Sequence, residues 1–435
     1  MLKRILFVSL FALLLSGIAF PQGFDIPVNT AARHNAMANS GSAVVTGGTA
    51  IAMNPAGLAG IKKMEVEATF NSIALMMEAP ANGNDTSESL TAYSAIGLFG
   101  AGYRLNEMIT VGFLLYAPSG GGAEQKDVHL GLGGTGPTSI SVAPQDIGGY
   151  LIFLEFGPCI AINLPGNIKI GFVYRINYVE NWAKTLQAQA FSPVGPFLST
   201  YNELHTSGYG FTGYRIGIQW DPLDTLHFGA SYRSFVKMKM EGENEALVVN
   251  NINPLGSPAV GSTIDSDVSQ YQRYADGFVV GATYEIMPDQ LSVHFDYGMN
   301  FWSRYQSLIT KSTSGGTTTT TTVPFKTYDV HCFRLGAEFW ALDWIAVRLG
   351  FSYSTQAANA RYQTPLSSGS PGPAITYAAG IGFNFGENWA LDLSFNYMTN
   401  EGSVDASDQG LYAGTTRGDY VNNAVYIGIG GRYRM

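Results

Sequence analysis

From Met64 to the C-terminus, apolar and polar positions alternate along the chain. In the clearest run one parity carries Leu226, Phe228, Ala230, Tyr232, Val236, Met238 and Met240, and the other carries His227, Gly229, Ser231, Arg233, Lys237 and Lys239, with Phe235 as the exception. A period of two sends successive side chains to opposite faces of a β-strand. Ser292, His294, Asp296, Gly298 and Asn300 interleave in the same way with Leu291, Val293, Phe295, Tyr297 and Met299; Ala346, Arg348, Gly350 and Ser352 do so with Ile345, Val347, Leu349, Phe351 and Tyr353. Each run is close to the roughly ten residues that a tilted strand needs to cross a bilayer.

A soluble β-sandwich would alternate too, but it does not require the connections seen here, which are by turns very short and very long. The short ones are Leu105-Asn106-Glu107, Leu164-Pro165-Gly166-Asn167, Asp221-Pro222-Leu223-Asp224, Met287-Pro288-Asp289-Gln290, Leu342-Asp343 and Phe385-Gly386-Glu387-Asn388. Between them stand polar stretches rich in Gly, Ser, Thr and Pro, including Pro118 to Pro144, Gly242 to Asp267 and the Thr-rich Ser312 to Thr322, all expected as loops. Six short turns and seven longer loops imply about fourteen strands with both ends on the periplasmic side. Aromatic residues gather at strand ends, at Tyr174 and Tyr178, Trp344 and Tyr353, and Trp389 and Tyr397, as girdles at two membrane interfaces would.

The beginning of the chain reads differently. Lys3 and Arg4, an apolar run from Ile5 to Leu15, and the small residues Gly17 and Ala19 form a secretory leader, expected over residues 1–19. Residues 20–63 are rich in small residues and lack the period of two, and they contain the break Asn54-Pro55-Ala56-Gly57; they are expected to fold as a plug inside the lumen of a barrel spanning 64–435.

Composition narrows the class further. Charged residues make up only 13% of the chain, where soluble domains average about a quarter. No stretch beyond the leader reaches the ~20 apolar residues of a membrane helix, so a membrane protein of this composition must be a closed barrel. The net charge of −9 is dispersed and disfavours nucleic acid. Cys159 and Cys332 lie in separate strand-like segments, and the sequence leaves open whether they pair.

At the residues just described the chain resembles the FadL-type family of outer-membrane transporters of long-chain fatty acids and aromatic hydrocarbons. Asn54-Pro55-Ala56 is similar to the family's plug motif, and Gly229-Ala230-Ser231-Tyr232-Arg233-Ser234 with Lys237 and Glu241-Gly242 resembles its most recognisable strand. Trp302-Ser303-Arg304-Tyr305, Arg334-Leu335-Gly336-Ala337-Glu338 and the closing Tyr426-Ile427-Gly428-Ile429-Gly430 follow in the family's order. The resemblance implies a fourteen-stranded barrel, an internal hatch and passive uptake through a lateral opening in the wall. One departure is the terminus Arg432-Tyr433-Arg434-Met435, where such chains usually end on an aromatic residue read by the insertion machinery.

Enzymatic signatures are weak. Gly131-Leu132-Gly133-Gly134-Thr135-Gly136 fits G-x-G-x-x-G, but Pro137 and the residues after it forbid the helix that would hold a pyrophosphate. The six histidines show no metal-binding spacing, and no G-x-S-x-G elbow is present. A barrel lipase or protease could use Ser231, His294 and Asp296, and a structural or adhesin barrel is a further alternative. The cations Arg175, Arg233, Lys237 and Arg348 fall on lumenal parity; they are candidates for a ligand carboxylate, against the plainer reading that they pair with Asp296, Glu338 or Asp392 and stiffen the wall. The sequence therefore reads as an all-β transmembrane barrel of the bacterial outer membrane. It is a monomer in contact with outer-membrane lipid that admits a hydrophobic small molecule, and it uses neither cofactor nor metal.

Overall fold

The computed structural model describes residues 30–80, 87–128, 131–132, 140–141, 145–190, 197–251, 258–324, 326–362, 370–408 and 417–435. The expected leader, the first residues of the expected plug and most of the G-x-G-x-x-G segment lie outside them.

Fourteen antiparallel strands close into a barrel. They are β1 (Met64–Pro80), β2 (Ser87–Arg104), β3 (Ile109–Val128), β4 (Gln145–Leu164), β5 (Ile168–Ala190), β6 (Phe197–Leu223), β7 (Leu226–Arg233 and Val236–Asn251), β8 (Thr263–Tyr274 and Gly277–Met287), β9 (Leu291–Asn300), β10 (Val330–Leu342), β11 (Ile345–Ser354), β12 (Ala374–Phe385), β13 (Trp389–Val404) and β14 (Gly418–Arg434). Neighbours in sequence pair with one another, and the ring closes where β1 meets β14, from Glu65↔Arg434 to Glu78↔Val421. Closure joins the first strand to the last, so the barrel has no free edge strand. Met64 and Met435 exchange two backbone hydrogen bonds, at 2.8 and 3.1 Å. The terminal Met435 thus completes the last rung, on the same outward parity as Ile427 and Ile429.

All six short turns fall where the sequence placed them, between β2 and β3, β4 and β5, β6 and β7, β8 and β9, β10 and β11, and β12 and β13. Tight hairpins need residues at positive φ, and Gly166 and Asn167 supply them at 81° and 57°. The expected loops are another matter. Gly242 to Asp267 is largely strand, because β7 runs to Asn251 and β8 begins at Thr263, and β3 likewise runs to Val128 through the Pro118 to Pro144 stretch. The Thr-rich segment is no flexible tip: Ser307–Ser314 and Thr317–Pro324 form a hairpin, turned at Gly315 and Gly316, and Asp267↔Thr313 to Tyr271↔Ile309 join it to β8. Threonine favours extended backbone, and the neighbouring strand supplies the partner that composition could not reveal. At ~3.3 Å per residue and ~45° of tilt, the 27 residues of β6 rise about 63 Å, more than twice the roughly 25 Å apolar band, so the sheet continues well beyond the membrane.

Outward positions carry an apolar band that includes Phe113, Ile216, Ile218, Phe295, Leu335 and Leu349, all exposed. In water such a surface would be a large unburied patch; in a bilayer it is the lipid contact. Trp344, Tyr353, Trp389 and Tyr397 are exposed near the two ends of the band. Cys159 and Cys332 are both buried free thiols.

Candidate functional site

Residues 30 to 61 lie within the barrel and are almost wholly buried, as two short helices, α1 (Ala32–Asn35) and α2 (Gly47–Met53), and a 3-10 turn (Pro55–Gly60). Polar groups of the wall hold this inner segment from several sides. Asn35 donates to Asn71 of β1 at 2.9 Å, and Ser42 donates through its amide and hydroxyl to Asp296 of β9 at 3.1 and 3.0 Å. Thr49 does the same to Glu67 of β1 at 2.8 and 2.6 Å. Arg215 and Gln219 of β6 donate to the carbonyls of Ile51 and Val45 at 2.8 and 3.0 Å. These bonds satisfy backbone groups that the short helices leave open.

Asn54, Pro55 and Ala56 form a fixed turn. Asn54 is extended, its side-chain oxygen accepts from the Ala56 amide at 3.3 Å, and its side-chain nitrogen donates to the carbonyls of Ser42 and Ile218 at 3.0 Å each. Pro55, which has no N–H to lose, opens the 3-10 turn. The turn sits against Gly217 of β6 and Gly171 of β5 so closely that a Cβ on either would come within 2.0 Å and 2.2 Å of its atoms. Gly100, Gly229, Gly336 and Gly350, from four further strands, approach the inner segment similarly, with a virtual Cβ 2.1 to 2.7 Å from its atoms. These six glycines are explained here: lumenal positions facing the segment have no room for a side chain.

The four candidate cations part company. Arg175 is fully buried and pairs with Glu155 of β4 at 2.6 Å, and Arg215 meets the other oxygen of the same carboxylate at 2.9 Å. Arg348 bonds Glu338 at 2.6 Å and Asp392 at 2.7 Å, and Glu338 also receives Arg33 of α1 at 2.7 Å. For Arg348 the wall-stiffening partners named from parity are those observed. Arg233 donates to Asn300 at 3.0 Å and lines a small cavity of about 40 Å³ with Met53, Arg215, Asp296, Gly298 and Arg334. Lys237 is not lumenal. The chain leaves strand geometry at Ser234 and Phe235, and this one-residue slip inverts the parity, so Val236, Met238 and Met240 turn inward and Lys237 and Lys239 outward.

Sequence reasoning passed over Glu155, Arg215 and Arg334. Charged residues inside alternating apolar runs were the available signal, since a lipid-facing charge is costly and a lumenal one is not. Ser231, His294 and Asp296 do not assemble: Ser231 donates to the Met53 carbonyl, His294 meets Thr283 and Ser292, and Asp296 holds Ser42.

Above the inner segment two apolar clusters line the lumen. Leu151, Phe153, Val179, Met238 and Met240 cluster with Trp302 on one side, and Ile73, Leu75, Met77, Ile96 and Met398 cluster with Tyr426 on the other. Ala117 packs on the second cluster, beside the point where the backbone pairing of β2 with β3 ends. The β2–β3 ladder runs from Arg104↔Thr110 to Leu98↔Tyr116 and stops, whereas β2 stays paired with β1 as far as Ser87↔Pro80. The β3–β4 register shifts at the same place, between Tyr116 and Ser119. Pro118 has no N–H to offer a ladder.

A family model described as outer membrane protein transport protein (OMPP1/FadL/TodX) matches residues 12–435. The chain is 23% identical over 369 residues to the long-chain fatty acid transport protein of Salmonella typhi, covering 79% of this chain and 81% of that one. It is 22% identical over 445 residues to a putative outer membrane protein of Neisseria meningitidis serogroup B, covering 92% and 91%. Among solved structures, a Pseudomonas aeruginosa FadL homologue superposes with a TM-score of 0.73 at 14% identity, covering 95% of this chain and 99% of that one. The Ralstonia pickettii toluene transporter TbuX does so with a TM-score of 0.70 at 16% identity, covering 94% and 99%. With the family match spanning the barrel and its inner segment alike, the chain belongs to the OMPP1/FadL/TodX family of outer-membrane transport proteins.

Proposed function

We propose that this protein admits hydrophobic small molecules, of the long-chain fatty acid or aromatic hydrocarbon class, passively across the outer membrane, and releases them sideways between β2 and β3. The inner segment, read as a plug, closes the direct path to the periplasm, so cargo collected by the apolar clusters of the upper lumen leaves through the wall. The observation that carries this reading is the β2–β3 backbone ladder, which stops at Pro118 beside an apolar lumenal cluster where barrel interiors are ordinarily polar. Cargo moving from lumen to bilayer there never has to enter water, a step that would cost about 0.8 kcal/mol per exposed methylene.

A reversible staple tests the exit. Ser94 of β2 lies against Gly120 of β3, its hydroxyl donating to the Gly120 carbonyl at 2.8 Å. The Ser94→Cys, Gly120→Cys pair, once oxidised, should abolish uptake of a long-chain fatty acid, and reduction should restore it. Equal uptake in the oxidised and reduced states would place the exit elsewhere.

A further inference from the structure

The slip at Ser234 and Phe235 does more than remove Lys237 from the lumen. It assembles a group of cations on the outer surface of the barrel. Lys237 stands directly opposite Arg273 in the β7–β8 register, and the two share one ring, with the Arg273 guanidinium 4.1 Å and the Lys237 ammonium 5.9 Å from the centre of Phe235. Two residues further along, Lys239 faces Tyr271, and Lys311 of the Thr-rich hairpin reaches to 5.4 Å from the same Tyr271 ring. Lys239 pairs with Glu241. Lys237, Arg273 and Lys311 form no ion pair among the described residues. Like charges placed directly opposite on neighbouring strands destabilise a sheet, so an arrangement with Lys237 against Arg273 calls for an anion from outside the chain.

Height identifies that anion. Eleven residue steps separate Leu226, at the periplasmic turn, from Lys237; at ~3.3 Å per step and ~45° of tilt they rise about 26 Å, which is the thickness of the apolar band. The cations therefore stand at its outer edge. Just below them Tyr214 and Tyr232 pack ring to ring at 6.1 Å, and exposed Phe228, Val280 and Phe295 lie lower still. Lipid headgroups occupy this level, with acyl chains against the residues beneath.

We propose that Lys237, Arg273 and Lys311 hold the phosphate of an outer-leaflet lipid, a phosphorylated glycolipid of the lipid A type, on the outer face of β7 to β9. A phosphate carries a charge of about −1.5 to −2 with three strong acceptor oxygens, enough to offset the opposed cations through charge-assisted hydrogen bonds. The cation–π contacts with Phe235 and Tyr271 position the donors before the lipid arrives.

The test is a native mass-spectrometric titration of the detergent-solubilised full chain with bisphosphorylated lipid A and with the same lipid after phosphatase treatment. The wild-type protein should retain the phosphorylated form at least tenfold more strongly. The variant carrying Lys237→Ala, Arg273→Ala and Lys311→Ala should lose that preference, whereas Lys62→Ala with Lys63→Ala, at the periplasmic end, should keep it. Equal retention of both lipids by the wild-type protein would overturn the proposal, and this arm decides even if the triple variant does not fold. Undiminished preference in a folded triple variant would overturn it too, as would displacement of the lipid by an equal concentration of inorganic phosphate.

Discussion

Gly48 of the inner segment and Gly100 of β2 lie backbone to backbone, so that a Cβ on Gly100 would sit 2.5 Å from the Gly48 α-carbon. Neither partner is a side chain that could rotate away. Gly100→Val should therefore either destabilise the barrel by about 1–3 kcal/mol through overpacking or push the inner segment off the wall. Thermal unfolding in detergent would register the first outcome, and leakage of a small hydrophilic sugar from liposomes would register the second. Wild-type values in both assays would mean that the segment is not wedged against β2.

Glu338 is shared by two arginines, and their loss should have unequal effects. Arg348→Ala strands Asp392 and half of the Glu338 interaction in a buried site, where breaking an ion pair costs about 3–5 kcal/mol. Arg33→Ala should cost distinctly less, because Arg33 is a quarter exposed and Glu338 keeps Arg348. Urea unfolding of the two variants in the same detergent checks the order. Equal losses would mean that the α1 end of the network matters as much as the wall itself.

Arg233 and Lys237, on one parity in the sequence, should behave oppositely in transport. Arg233 lines the cavity under the apolar clusters together with Arg334, and an arginine–carboxylate contact there is worth about 1.5–3 kcal/mol. Arg233→Ala should weaken binding of a long-chain fatty acid by about ten- to a hundredfold and leave an alkane of equal length nearly unchanged. Lys237→Ala, on the outer face, should change neither by more than about twofold. Similar losses of both ligands in Arg233→Ala would assign Arg233 to the wall rather than to the cargo.

The parts of this architecture legible in the sequence were those set by local chemistry. Leu164-Pro165-Gly166-Asn167 marks a turn because only certain residues take positive φ, and Ile345 to Tyr353 alternates because one face meets lipid and the other does not. Long-range partners were not legible. The run of threonines becomes strand only because β8 lies alongside it, and the Glu155 partner of Arg175 stands 20 residues away on another strand. The slip at Phe235 was visible as a break in pattern, but its consequence for every residue after it depended on knowing that strand pairing resumes at Val236. Nor was the role of glycines such as Gly217 legible, because the room they leave is for the inner segment, which comes from a distant part of the chain.

The central claim, gradient-driven passage of a hydrophobic molecule past an inner segment that stays in place, is tested most directly with purified protein in liposomes free of nucleotide and of any proton gradient. A long-chain fatty acid trapped by an internal binding protein should accumulate several times faster than in protein-free liposomes, while a hydrophilic sugar of similar mass stays out. Sugar entering as readily as the fatty acid, or fatty acid uptake that appears only when nucleotide or a proton gradient is supplied, would contradict the account.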